Sequence, residues 1–150
     1  MSEHNVTVHW DKTSASFAYE DYNREHEWQF DGGRTIVQAS AAPDFLGKAE
    51  LVDPEEAFVA ALSSCHMLTF LALCAKKRAT VESYTDQAAG YLEKDADGRL
   101  AITRVILRPR VTFADGHAPD AGVLSEIHET AHKHCFIANS VKTEVLVEPC

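Results

Sequence analysis

Two hydrophobic periodicities alternate along this chain. In VTVHW, Val6, Val8 and Trp10 fall on one face at a spacing of two, and SFAYEDY (16–22) and EWQFDGGRTIVQAS (27–40) continue with aromatic and β-branched residues around Gly32-Gly33. These segments predict strands joined by turns, followed by a loop over 41–52. From Asp53 the pattern changes to DPEEAFVAALSSCHMLTFLALCAKKR, apolar almost all round. Asp53 suits an N-cap, Pro54 the first helical position, Glu55 and Glu56 the first turn, and Lys76, Lys77 and Arg78 the last, which predicts a helix from about 54 to 78. Two-residue alternation returns over 81–93 and 99–115, with DADG between them as a hairpin turn. A second helix is expected from about 120 to 138, with Leu124, Ile127, Ala131, Cys135 and Ala138 on one face, and KTEVLVE is read as a last strand. The elements add up to an α+β fold in a single domain, 1–150.

The apolar part of the first helix, 57–75, is nearly long enough to span a bilayer, but Ser63, Ser64, His66 and Thr69 lie near its middle. A helix of this kind is expected to be buried against sheet and against another subunit rather than in a membrane. The chain has 150 residues, 45% of them hydrophobic and 25% charged, enough for one soluble domain with a real core. A formal charge of -9 with no basic stripe argues against nucleic acid and anionic membranes as partners. The N-terminal MSEHNVTVHW lacks the charged and apolar regions of a secretion signal, so a cytoplasmic location is expected.

In a reducing compartment, scattered cysteines are more often buried, catalytic or metal-binding than a disulfide frame. Cys65 and Cys74, nine residues apart on one helix, face opposite sides about 13 Å apart along the axis and cannot pair with each other. Cys74 reads as a small buried hydrophobe and Cys150 as an exposed terminal thiol. Cys65 and Cys135 each lie among small or polar residues, Ser63, Ser64 and His66 at one and His132, His134, Asn139 and Ser140 at the other. They are either two structural cysteines or a redox pair. His128, His132 and Cys135, at i, i+4 and i+7, are an alternative set of three zinc ligands.

DPEEAFVAALSSCHMLTFLALCAKK, followed by a hairpin and AHKHCFIANSVKTEVLVE, resembles the OsmC/Ohr family, the osmotically inducible and organic hydroperoxide resistance proteins. The resemblance runs over nearly the whole chain in the order of its elements. It implies two long central helices wrapped by antiparallel sheets, an intertwined homodimer, and thiol-dependent reduction of organic hydroperoxides. By motif, Cys65 is then the peroxidatic cysteine and Cys135 the resolving one. Glu55 matches the glutamate of the family's Pro-Glu helix start. Arg24, in YEDYNREHEW, is the candidate for the arginine that holds the thiolate, with Arg34 as runner-up. Phe136 stands where the hydroperoxide resistance branch commonly has proline, which favours a separate OsmC-like subgroup.

An arginine suits the thiolate because its planar fork stays charged and can meet a sulfur and a carboxylate at once. Glu55 and Cys65 are ten residues apart on one helix, about 15 Å along its axis, which predicts a composite site in which the glutamate of one chain approaches the cysteine of another. The cycle needs an external dithiol but no metal, flavin or haem, and no Gly-rich phosphate loop is present. The rival reading is a non-enzymatic protein of the same fold that holds a small apolar ligand.

Overall fold

Alternating side chains at the N-terminus zip into an antiparallel meander of β1 (Val6–His9), β2 (His26–Phe30) and β3 (Thr35–Ala39) in the computed structural model, which describes residues 1–150. Val8 lies opposite Trp28, and Trp28 opposite Val37, so one apolar row crosses all three strands. Gly32 and Gly33 turn β2 into β3 at φ of 66° and 90°, values at which a side chain is strained. The chain divides into two compact units, Met1–Ala57 and Phe58–Cys150. In the first, only Arg24, Ala39 and Ser40 are buried.

The strand expected over 16–22 is not formed; turns and bends take its place. Local polar groups capture the backbone there. The Asn23 carboxamide accepts the Thr13 N–H at 2.9 Å and donates to Asp11 O at 2.9 Å, Ser16 Oγ accepts the Ala18 N–H at 3.0 Å, and the Arg24 guanidinium donates to the carbonyls of Tyr19 and Tyr22.

Helix α1 (Pro54–Lys76) opens on a reciprocal cap: Glu56 N–H donates to Asp53 Oδ1 at 2.7 Å, and Asp53 N–H to Glu56 Oε2 at 3.2 Å. It ends slightly before the expected Arg78, which takes a left-handed φ of 60° while the Ala79 N–H reaches back to Cys74 O at 3.0 Å. Leu62, His66, Phe70 and Cys74, every fourth residue, form its buried stripe, and Ala60, Ser64, Leu68 and Ala72 its exposed one. By length and composition α1 could cross a bilayer. Ser63 and His66, from its middle, are instead bonded to other side chains of the protein.

The second unit adds β4 (Val81–Asp86), β5 (Ala89–Lys94), β6 (Leu100–Leu107), β7 (Pro109–Phe113), α2 (Ala121–Lys133) and β8 (Glu144–Val147). β4 pairs with β7, and a second sheet runs β5-β6-β8. The pairings are antiparallel except β6 with β8, a parallel ladder that departs from the expected all-antiparallel wrapping. The DADG turn is held as expected by Asp95 Oδ1, which accepts the N–H groups of Asp97 and Arg99, each at 2.9 Å.

Two core clusters anchor α1. Phe70 and Cys74 pack with Ala79, Ile127 and Ala131, and Leu62 packs with Val105 and Leu107. Strand β5 approaches so closely that a Cβ on Gly90 would lie 2.6 Å from Val59 Cγ2.

Helix α2 is capped by Asp120 Oδ1, which accepts the Val123 N–H at 2.9 Å. It stops at Lys133, well short of the expected 138. Asn139 Nδ2 donates to Lys133 O at 3.1 Å, and the His134 ring bonds Thr130 O at 3.2 Å, so side chains take the last carbonyls and the chain turns away. Cys135 therefore sits in the turn after α2, not on its face.

Candidate functional site

Cys65 is carried by the middle of α1, between the buried stripe and the exposed one, and is half-buried; Cys135 is only 1% exposed. The two thiols are near enough for Cys65 to shift the acidity of Cys135, and neither is in a disulfide. Burial pushes the Cys135 thiol up to about 11, and the contact with Cys65 pushes in the same direction. The Ala138 N–H, 3.5 Å from Cys135 Sγ, pulls weakly the other way. Cys135 is thus a proton-retaining thiol near a more accessible one. The sequence left open whether these two cysteines form a pair, and the fold brings them together.

Polar groups of the second unit flank the pair. Ser63, two residues before Cys65, donates its hydroxyl to Asp86 Oδ2 at 2.5 Å, and Asp86 Oδ1 accepts the Arg108 N–H at 2.6 Å, which ties α1 to the end of β4. His66 is fully buried, and its Nε2 shares a hydrogen bond of 3.2 Å with His128 Nδ1. The two imidazoles are parallel, and His128 stacks on Phe70 at 4.3 Å. Burial lowers both histidines, His66 to about 4, where nearby His128 and His132 add to the effect. The sequence reading treated His66 as a polar interruption of the apolar helix and as a neighbour of Cys65. The signal available was its place in the four-residue spacing from Leu62 to Cys74, which puts it in the core.

Arg24 and Glu55 belong to the first unit. Arg24 is 9% exposed, and its guanidinium lies 3.7 Å from the Tyr22 ring centroid and 5.1 Å from that of Tyr19 while bonding the carbonyls of both residues. Glu55 is half-buried, and no ion pair joins it to Arg24. Arg34, the runner-up, is exposed at the β2–β3 turn and paired with Asp31 at 2.8 Å. The three zinc candidates do not converge. His128 Nδ1 is engaged by His66, and no group of three His, Cys, Asp or Glu side chains is placed to hold a metal ion. Cys135 left that arrangement when α2 ended at Lys133.

The family model for OsmC-like proteins matches residues 47–149, a stretch containing α1, α2 and both thiols. The chain belongs to the OsmC-like family. A solved structure of an OsmC-like protein of unknown function from Vibrio cholerae is 50% identical, covers 100% of both chains, and superimposes with a TM-score of 0.95. More distant members share the fold. An organic hydroperoxide resistance protein from Legionella pneumophila is 13% identical over 99% of this chain and 96% of its own, with a TM-score of 0.72. The organic hydroperoxide resistance protein of Bacillus subtilis is 17% identical over 99% of this chain and 98% of its own, with a TM-score of 0.67. No curated protein matches the sequence. The OsmC-like α+β fold expected from the sequence is the fold observed.

Proposed function

We propose that this OsmC-like protein is a thiol-dependent peroxidase that reduces organic hydroperoxides, with Cys65 peroxidatic and Cys135 resolving. The observation that carries the reading is the proximity of two free thiols of unequal exposure, the enclosed Cys135 being held protonated by its burial. A peroxide reaches the half-buried Cys65 more readily than the enclosed Cys135. A protonated Cys135 can donate its S–H to a Cys65 thiolate and stabilise it.

In the first step the Cys65 thiolate attacks the outer peroxide oxygen. The O–O bond breaks, the alkoxide takes a proton and leaves as an alcohol, and the sulfur is oxidised to sulfenic acid. In the second, Cys135 attacks that sulfur, and water leaves as the disulfide forms. An external dithiol then reduces the disulfide and is itself oxidised. Neither step calls for a cofactor.

We place the reaction in a homodimer in which Glu55 of one protomer approaches the partner's Cys65, with Arg24 holding the thiolate. What supports a dimer is the apolar surface a single chain leaves open, with Leu68 63% and Phe136 79% exposed beside the two cysteines in sequence. Consumption of cumene hydroperoxide in the presence of a dithiol tests the reading. Turnover by the wild-type protein and none by Cys65→Ser is expected; equal rates would refute it.

A further inference from the structure

A cleft between α2 and β8 lies outside the thiol pair and uses none of its residues. Its volume is about 420 Å³, within the range of small-molecule sites. Leu124, Val145 and Leu146 are among its apolar walls, Glu129 is on its lining, and no lysine or arginine contributes. Its polar lining is His128, His132, Glu129 and Ser125, whose hydroxyl donates to Glu129 Oε1 at 3.4 Å; His128 is 4% exposed.

The orientation of His128 is fixed from behind. Its Nδ1 meets His66 Nε2, the parallel His66 ring sits at a centroid distance of 5.5 Å, and Phe70 stacks on it at 4.3 Å. Its Nε2 makes no bond within the protein. The buried, unpartnered nitrogen of this pair is His66 Nδ1, not His128 Nε2, so the small open part of His128 that lines the cleft presents a free nitrogen.

Burial also selects the tautomer. An orphaned buried N–H costs more than an orphaned lone pair, which places a bare nitrogen at His66 Nδ1 and the proton on His66 Nε2. His66 then donates to His128 Nδ1, and His128 carries its own proton on Nε2, aimed at the cleft. A mostly apolar pocket with a donor held in a fixed orientation selects an apolar molecule that carries an acceptor. Glu129 and the lack of any lining cation disfavour a carboxylate.

We propose that this cleft binds a small, uncharged apolar molecule that carries a carbonyl acceptor, of the ketone or lactone class, oriented by the His128 Nε2–H. The site shares no residue with the thiol chemistry, so it stands or falls separately from it.

The full-length reduced protein, labelled with nitrogen-15, would be titrated with 2-octanone while the imidazole resonances are followed. A saturable shift of the His128 Nε2–H is expected, with affinity falling about tenfold in His128→Phe, whose ring keeps the stack on Phe70. Octanoate, with a carboxylate in place of the carbonyl, is expected to bind at least tenfold more weakly. Should His128→Phe fail to fold, Leu146→Trp fills the cleft from β8 and is expected to abolish the shift. A wild-type protein with no saturable shift, an unchanged affinity in either variant, or octanoate binding as tightly as the ketone overturns the proposal.

Discussion

The Cys135 thiol lies near the Cys65 thiol although seventy residues of chain, two strand pairings and a second helix separate them. The meeting depends on where two helices are placed: α1 presents Cys65 from its middle, and α2 ends early enough to let Cys135 turn inward. The two sulfurs are unequally buried, and burial keeps Cys135 protonated.

The first prediction concerns alkylation. Burial and the contact with Cys65 raise Cys135 from 9.0 to about 11, so its thiolate fraction at pH 8.5 is roughly a hundredfold below that of an ordinary thiol. Cys74 is also raised by burial. Timed iodoacetamide labelling read by peptide mass spectrometry is expected to mark Cys65 and Cys150 well before Cys74 and Cys135. Early labelling of Cys135 would show that the thiol is neither enclosed nor proton-retaining.

Acid should weaken the protein through the histidine pair. His66 titrates at about 4 in the fold against 6.5 for the free side chain, so between those values the unfolded chain binds the extra proton and unfolding becomes easier as pH falls. Stability from this source is complete above pH 6.5 and declines toward pH 4, by at most about 3 kcal/mol and less after solvent screening. Urea midpoints measured over that window are expected to fall in the wild type and to fall less steeply in His66→Leu. Equal slopes would mean that the imidazole is not the group being protonated.

Packing around α1 gives two expectations, one from a cavity and one from crowding. Phe70→Ala removes a fully buried ring that stacks on His128 and should cost about 3–5 kcal/mol. Gly90→Ala adds a methyl group at 2.6 Å from Val59 Cγ2 and should cost about 1–3 kcal/mol through strain. Chemical denaturation measures both, and a neutral Gly90→Ala would mean that β5 does not press on α1 as described.

The capping box is a smaller but cleaner case. Asp53→Ala leaves the Glu56 N–H without its acceptor and is expected to cost about 1 kcal/mol. Asp53→Ser should recover most of that loss, whereas a loss as large in Asp53→Ser would remove the cap as its cause.

Asp53, Pro54 and the two glutamates marked the start of α1 in the sequence because capping is local, and the DADG turn was legible for the same reason. The end of α2 was not, because Asn139 folds back on the Lys133 carbonyl from beyond the helix, and the apolar pattern continues through Cys135 and Ala138 as if the helix did too. The segment 16–22 looked like a strand by its aromatics. Its outcome was set by Asn23 and Arg24, whose side chains bind the preceding backbone. At the candidate site the motif singled out Cys65 and Cys135, and their contact required the fold. The His66–His128 bond joins residues on different helices and had no sequence signal beyond spacing within each.

The most direct measurement adds one equivalent of cumene hydroperoxide to the reduced protein and maps its disulfides by mass spectrometry, with Cys65→Ser and Cys135→Ser alongside. The account predicts a fast Cys65–Cys135 disulfide with one equivalent of alcohol released in the wild type. Cys135→Ser should consume one equivalent and stop at the Cys65 sulfenic acid, and Cys65→Ser should consume none. An unreactive wild-type protein, or oxidation confined to Cys150, would contradict the assignment of both cysteines.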